Sequence, residues 1–213
     1  MAILDLIKEN LQAEEFQTGN KRLRVYHGDD FGLEYINGNY PLMSQEESNQ
    51  QEGPGLYFAK DPRTARRYGK HVVTTTINPT RFLHARRPIE NKVSTEDIAN
   101  MVHELHETDE DFWYLMSDYV YAEEREGIGE EEIQDFAEQL SKLDARNFLI
   151  TIEEATSTQL AVEMFLKHTG YYGTYNPQRG SIFLDGNDVW FAILHNDEDI
   201  EKVNMKELDI EGE

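Results

Sequence analysis

The spacing of apolar residues changes several times along this chain, and each change marks an expected element. Ile3, Leu6, Ile7, Leu11 and Phe16 recur at roughly helical intervals, so residues 2–16 are expected to form an amphipathic helix closed by Gly19. Leu23-Arg24-Val25-Tyr26-His27 alternates instead and reads as a strand, with His27-Gly28-Asp29-Asp30 at its exit. A polar cluster at the end of a strand is a frequent ligand position; a surface histidine at a turn is the plainer alternative. Residues 31–52, with Gly32, Gly38, Pro41 and the polar run from Ser44 to Glu52, read as loop.

Gly53-Pro54-Gly55-Leu56-Tyr57-Phe58-Ala59 follows, running on to Thr64-Ala65 and Tyr68. Glycine allows unusual backbone angles and the close approach of another chain segment, and the aromatics supply flat apolar faces. Two readings stand: a grip for a planar heterocycle, or a Gly-Pro-Gly turn leading into a short strand and a helix. Asp61 as N-cap and Pro62 at the first helical position start that helix, which is expected to run through Tyr68 and end at Gly69. His71 to Ile77 is rich in β-branched residues and predicts a strand. Asn78-Pro79 turns the chain, and Arg81 to Ala85 forms a further short segment.

Residues 94–147 are expected to be helical throughout, beginning at Ser94 with Asp97 three positions on. One apolar stripe comprises Ile98, Met101, Val102 and Leu105, and another runs from Phe112 and Trp113 to Tyr119 and Val120. A third, past Gly127 and Gly129, comprises Ile133, Phe136, Ala137 and Leu140. The stripes read as core and the acidic faces as solvated, which makes this segment a helical insertion or subdomain. His103 and His106 lie three apart rather than the four of a zinc-binding helix, and no third ligand stands nearby, so no metal is expected. Asn147 to Ile152 fits either a strand or the start of a helix. Thr156 to Lys167 reads as a helix ended by Gly170, and Tyr171 to Tyr175, Ser181 to Leu184 and Val189 to His195 as strands. Asn176 to Gly180 and Asp185-Gly186-Asn187-Asp188 are the turns between these strands, and the acidic tail from Asp197 is expected to fray.

Composition narrows the picture. A chain of 213 residues is expected to form one domain, here with a large insertion. Its 42 acids and 20 bases give a formal charge of −22, which repels phosphate backbones and argues against general nucleic-acid binding. An acidic decoy that fills a basic groove stays open. Yet residues 60–92 hold nine bases and two acids, whereas residues 94–147 hold three bases and seventeen acids. Such a local positive field invites an anion such as a pyrophosphate; pairing with the acidic segment is the alternative. The absence of cysteine excludes disulfides and thiolate zinc sites and fits a reducing compartment. No run approaches the roughly eighteen uncharged apolar residues of a membrane span, and the N-terminus lacks the order of a signal peptide. A cytoplasmic location is expected, that of a host cell if the chain is an effector.

Three features in this order resemble the mono- and poly-ADP-ribosyltransferases of the His-Tyr-Glu class, which share a fold with diphtheria toxin. The first is Tyr26-His27-Gly28 at the end of a strand. The second is the run Gly53, Gly55, Leu56, Tyr57, Phe58, Ala59 with Thr64, Ala65 and Tyr68. The third is the pair Asp185 and Asp188 ahead of an apolar strand. The resemblance covers residues 22–80 and 156–200 and says nothing of 94–147. It implies an α+β fold, a split β-sandwich whose two antiparallel sheets flank an NAD cleft, with 94–147 as a mostly helical acidic insertion. It also implies NAD+ as co-substrate and a protein as the target of mono-ADP-ribosylation.

By that resemblance, His27 would hold a ribose hydroxyl. The backbone of Gly28 would bind the nicotinamide carboxamide, with Thr64 adding a hydroxyl contact, and Tyr57 and Tyr68 would sandwich the nicotinamide ring. Tyr26, Gly55 and Phe58 complete the expected cofactor-binding set. Nicotinamide leaves the anomeric carbon through a cation-like transition state, as in glycoside cleavage, which a carboxylate near the ribose stabilises. The chain departs from the family pattern in three places. Asp29 stands where Ser or Thr usually follows His-Gly, and Tyr68 lies one residue further from Ala65 than in the polymerases. The acid is aspartate rather than glutamate: Asp188 is favoured as nearer the strand, while Asp185 matches the spacing of some phage-encoded relatives. A small, acidic, stand-alone chain of this kind looks like a phage or bacterial effector that modifies a host or defence protein. NAD+ hydrolysis, or a decoy that has lost its chemistry, are the alternatives.

Overall fold

The computed structural model describes residues 22–30, 54–109, 112, 129–176, 190–193 and 206–208. The expected N-terminal helix, the loop 31–52, Gly53, the strand 181–184 and the turn with Asp185 and Asp188 lie outside them. Among the described residues, seven strands and five α-helices make a mixed α+β protein that divides into two compact units.

The first unit comprises residues 1–49, 55–84 and 172–213 and carries all the described strands. Strand β1 (Leu23–Asp29) therefore includes the His27-Gly28-Asp29 cluster. Next come β2 (Leu56–Phe58) and a single-turn helix α1 (Pro62–Ala65). Strand β3 (His71–Ile77) lies antiparallel to β1, with Leu23 opposite Ile77 and Asp29 opposite His71. Val73, Thr75 and Ile77 alternate into the core, as a strand's period of two requires. The other strands are β4 (Phe82–His84), β5 (Gly173–Asn176), β6 (Trp190–Ile193) and β7 (Lys206–Leu208). One sheet has the order β1-β3-β7 and the other β2-β6-β5-β4.

Three expectations need correction here. The second sheet is mixed rather than antiparallel, because β4 pairs parallel with β5. Parallel neighbours need a long crossover, and residues 85–172 supply it between these two strands. The tail, expected to fray, provides β7, which pairs with the edge of β3. The helix expected over 61–68 ends at Ala65. Asp61 does cap it, accepting the N–H of Arg63 at 2.8 Å. Beyond it the chain packs backbone to backbone on β1: a Cβ built on Gly69 would lie 1.9 Å from the carbonyl carbon of Asp29. That approach pulls residues 66–69 off the helical path.

The second unit comprises residues 50–54 and 85–171. Its helices are α2 (Thr95–Thr108), α3 (Glu130–Ser141), α4 (Ala145–Ala155) and α5 (Thr158–Thr169). Side-chain caps start three of them: Ser94, Asp144 and Ser157 each accept a backbone N–H of the first turn. The stripes expected on α2 and α3 are buried. Phe148, Leu149, Ile152 and Ala155 are buried at helical spacing, so Asn147 to Ile152 is helix, not strand. The rings of Phe148 and Phe165 meet at 6.1 Å between α4 and α5. No described helix is long and apolar enough to cross a membrane.

Candidate functional site

The site begins with the direction in which β1 turns its backbone groups. Along an antiparallel strand, successive residues point their N–H and C=O to opposite edges. The carbonyl of Val25 accepts the Thr74 hydroxyl of β3 at 3.1 Å, so Val25 faces β3. Tyr26 faces the other way and exchanges two backbone hydrogen bonds with Ala59, at 2.9 and 2.8 Å. The alternation then turns the N–H and C=O of Gly28 to the same edge as those of Tyr26, and the carbonyl of Tyr57 to the same edge as that of Ala59. Among the described residues, the Tyr26–Ala59 pair is an isolated bridge. The ladder does not continue to Gly28 and Tyr57. In its place the ring of His27 reaches across, and its Nδ1 donates to the Tyr57 carbonyl at 2.8 Å.

The second ring nitrogen of His27, Nε2, lies 2.9 Å from Asp29 Oδ2, with the side chains 11% and 15% exposed. The carbonyl of Tyr57 and the carboxylate of Asp29 are both acceptors. Phe58, fully buried, sets its ring 5.5 Å from that of His27 at an angle of 47°. Phe58 therefore acts on the site by bracing His27 from the core.

Two glycines of the expected set have local reasons. A Cβ on Gly28 would stand 1.8 Å from the carbonyl oxygen of Ala65, so only glycine lets α1 lie this close to β1. Gly55 is buried with φ of 135°, a conformation that side chains oppose. Thr64 is buried on α1, Tyr57 is half-buried, and Tyr68 is 62% exposed. The guanidinium of Arg63, hydrogen-bonded to both carboxylate oxygens of Asp61, holds that carboxyl below its usual range. Arg66 donates to the carbonyl of Gly69 at 3.1 Å.

The structure thus brings Tyr26, His27, Gly28, Tyr57, Phe58 and Thr64 to one end of β1 and β2. Asp185 and Asp188 lie outside the described residues, but the strand that follows them is placed: β6 pairs with β2, Phe191 opposite Phe58 and Ala192 opposite Tyr57. His103, by contrast, is exposed on α2 and forms an ion pair with Glu107 at 3.7 Å. Among the described residues, no cluster of three His, Asp or Glu is arranged to hold a metal ion. Sequence reasoning named Asp29 in the polar cluster at the exit of β1 but did not pair it with His27. The signal was its spacing: His27 and Asp29 are two apart on a strand, hence on one face. No protein-family model matches this chain, and no curated protein or solved structure matches it either.

Proposed function

We propose that this chain is a mono-ADP-ribosyltransferase that cleaves NAD+ at the nicotinamide–ribose bond and transfers ADP-ribose to a protein. The observation that carries this reading is the joining of its two motif segments. His27 is tied to the Tyr57 carbonyl just where β1 and β2 stop pairing. At that point Gly28 turns one donor and one acceptor outward, and a carboxamide offers their complement. The half-buried ring of Tyr57 and the exposed ring of Tyr68 are the faces for the pyridinium, whose positive charge aromatic rings favour. His27 is the contact to a ribose hydroxyl. The bases of residues 60–70 supply positive charge for the pyrophosphate.

In the reaction the C–N bond breaks and its electron pair stays on nicotinamide. Positive charge passes to the ribose, where a carboxylate ahead of β6, Asp188 or Asp185, stabilises it and accepts a proton from the incoming nucleophile. The split β-sandwich belongs to this reading: a three-stranded and a four-stranded sheet joined at Tyr26–Ala59. Incubation with NAD+ labelled in its ADP-ribose half, with and without cell lysate, tests it. Label on a protein supports transfer; free ADP-ribose alone redirects the reading to hydrolysis; NAD+ left unbound and intact overturns both.

A further inference from the structure

We propose that Gly69 is a positioning residue: lying against the backbone of Asp29, it sets the ring of Tyr68 where the nicotinamide part of NAD+ is held. This rests on the reading of the site as one for NAD+ and adds to it a residue that acts through Tyr68.

The segment from Ala65 to Lys70 is laid along the exit of β1, residue against residue. A Cβ on Gly28 would stand 1.8 Å from the carbonyl oxygen of Ala65. One on Gly69 would stand 1.9, 2.1 and 2.3 Å from the carbonyl carbon, the carbonyl oxygen and the α-carbon of Asp29. The N–H of Lys70 donates to Asp30 Oδ1 at 3.3 Å. Gly28, Asp29 and Asp30 therefore meet Ala65, Gly69 and Lys70 in turn. The first two meetings are this close because one partner of each has no side chain.

Tyr68 stands between these fastenings. Its N–H donates at 2.9 Å to the carbonyl of Ala65, the same carbonyl that faces Gly28. Its next residue is Gly69, whose carbonyl accepts from Arg66 at 3.1 Å. The ring of Tyr68 is 62% exposed, so burial in the core does little to place it, whereas Thr64 and Ala65 are buried anchors of the segment. The ring takes its place from the backbone, and the backbone is set at Gly28 and Gly69.

A side chain at position 69 would force the two backbones apart. Ordinary contact of a Cβ begins near 3.4 Å, so the segment would have to move by about 1.5 Å at this point. A misplacement of about 1 Å can cost about a hundredfold in rate, and a stacked ring loses its face over such a distance. The ADP-ribose part is held instead by His27 and by long, flexible bases, which follow a shift of that size. The effect of position 69 should therefore fall on nicotinamide.

The test measures dissociation constants of nicotinamide and of ADP-ribose, the two parts into which NAD+ is cleaved, for the full chain. Wild type, Gly69→Ala, Tyr68→Ala and the double variant are compared. Gly69→Ala should weaken nicotinamide binding about tenfold and leave ADP-ribose within about twofold. In the Tyr68→Ala background it should change nicotinamide binding by less than about twofold, because the ring it places is gone. If Gly69→Ala does not fold, Asp30→Ala, at an exposed position, takes its place. That change frees the N–H of Lys70 and should weaken nicotinamide binding about threefold with ADP-ribose unchanged. Equal loss of both parts overturns the proposal, since it marks general damage to the fold. So do unchanged nicotinamide binding, a further tenfold loss in the Tyr68→Ala background, and a wild type that binds ADP-ribose but not nicotinamide. A wild type that binds neither part sinks the NAD+ reading, and the inference falls with it.

Discussion

The imidazole of His27 donates to the backbone carbonyl of Tyr57, not to its side chain, across 2.8 Å. The first motif segment is therefore fastened to the second by a bond that survives any substitution of the Tyr57 ring. Tyr57→Ala is expected to keep the fold, with a stability loss of about 1–2 kcal/mol for a half-buried aromatic, and on the proposed transferase reading NAD+ turnover should fall about a hundredfold. Circular dichroism and a turnover assay on one preparation check both halves. Unchanged turnover would remove Tyr57 from the site.

Gly28 and Gly129 make a controlled comparison. The Cβ of Gly28→Ala meets the Ala65 carbonyl at 1.8 Å, a backbone atom that cannot step aside. The Cβ of Gly129→Ala meets the Glu132 carboxylate at 2.8 Å, the end of a flexible side chain. Urea denaturation should show a loss of about 1–3 kcal/mol for Gly28→Ala, from overpacking, and a clearly smaller change for Gly129→Ala. Equal losses would mean that α1 does not lie this close to β1.

Glu104 on α2 accepts hydrogen bonds from Lys167 and His168 on α5. The Lys167 bond, then the His168 bond, holds its carboxyl below the usual glutamate range. A carboxylate depressed by folding adds stability above its unfolded value and loses it as pH falls through the folded one. The stabilisation is thus expected in full above about pH 5 and fades below about pH 4. Thermal midpoints of wild type and Glu104→Gln should differ near neutrality and converge in acid. A difference independent of pH would contradict the coupling.

Phe148 is fully buried on α4, in the segment whose pattern fits both strand and helix. Truncation there leaves a cavity, so Phe148→Ala should cost about 3–5 kcal/mol by chemical denaturation. Glu154→Ala, at an exposed position of the same helix, should be nearly neutral. A small effect at Phe148 would argue against this helix and its buried face.

What the sequence made legible follows from the range of the cause. α2 announces itself locally, by Ser94 at its cap and by Ile98, Met101, Val102 and Leu105 on one face. Strand β3 does so by its β-branched run. β7 does not: Lys206-Glu207-Leu208 has no strand-forming signal and is set by pairing with β3. Likewise, the early end of α1 depends on Asp29, some forty positions earlier, which Gly69 meets. Apolar periodicity carries no strand direction, so the parallel pairing of β4 with β5 is invisible to it. In the site, His27 and Tyr57 are legible as a motif. That Asp29 turns its carboxylate onto His27 depends on side-chain rotamers, which spacing alone does not set.

Nicotinamide release from NAD+ by the purified full chain, followed beside His27→Ala and Tyr57→Ala, tests the central claim most directly. Release by wild type above the buffer rate, reduced about a hundredfold in each variant, is the expected result. Wild type that leaves NAD+ intact, or variants that match its rate, would contradict it.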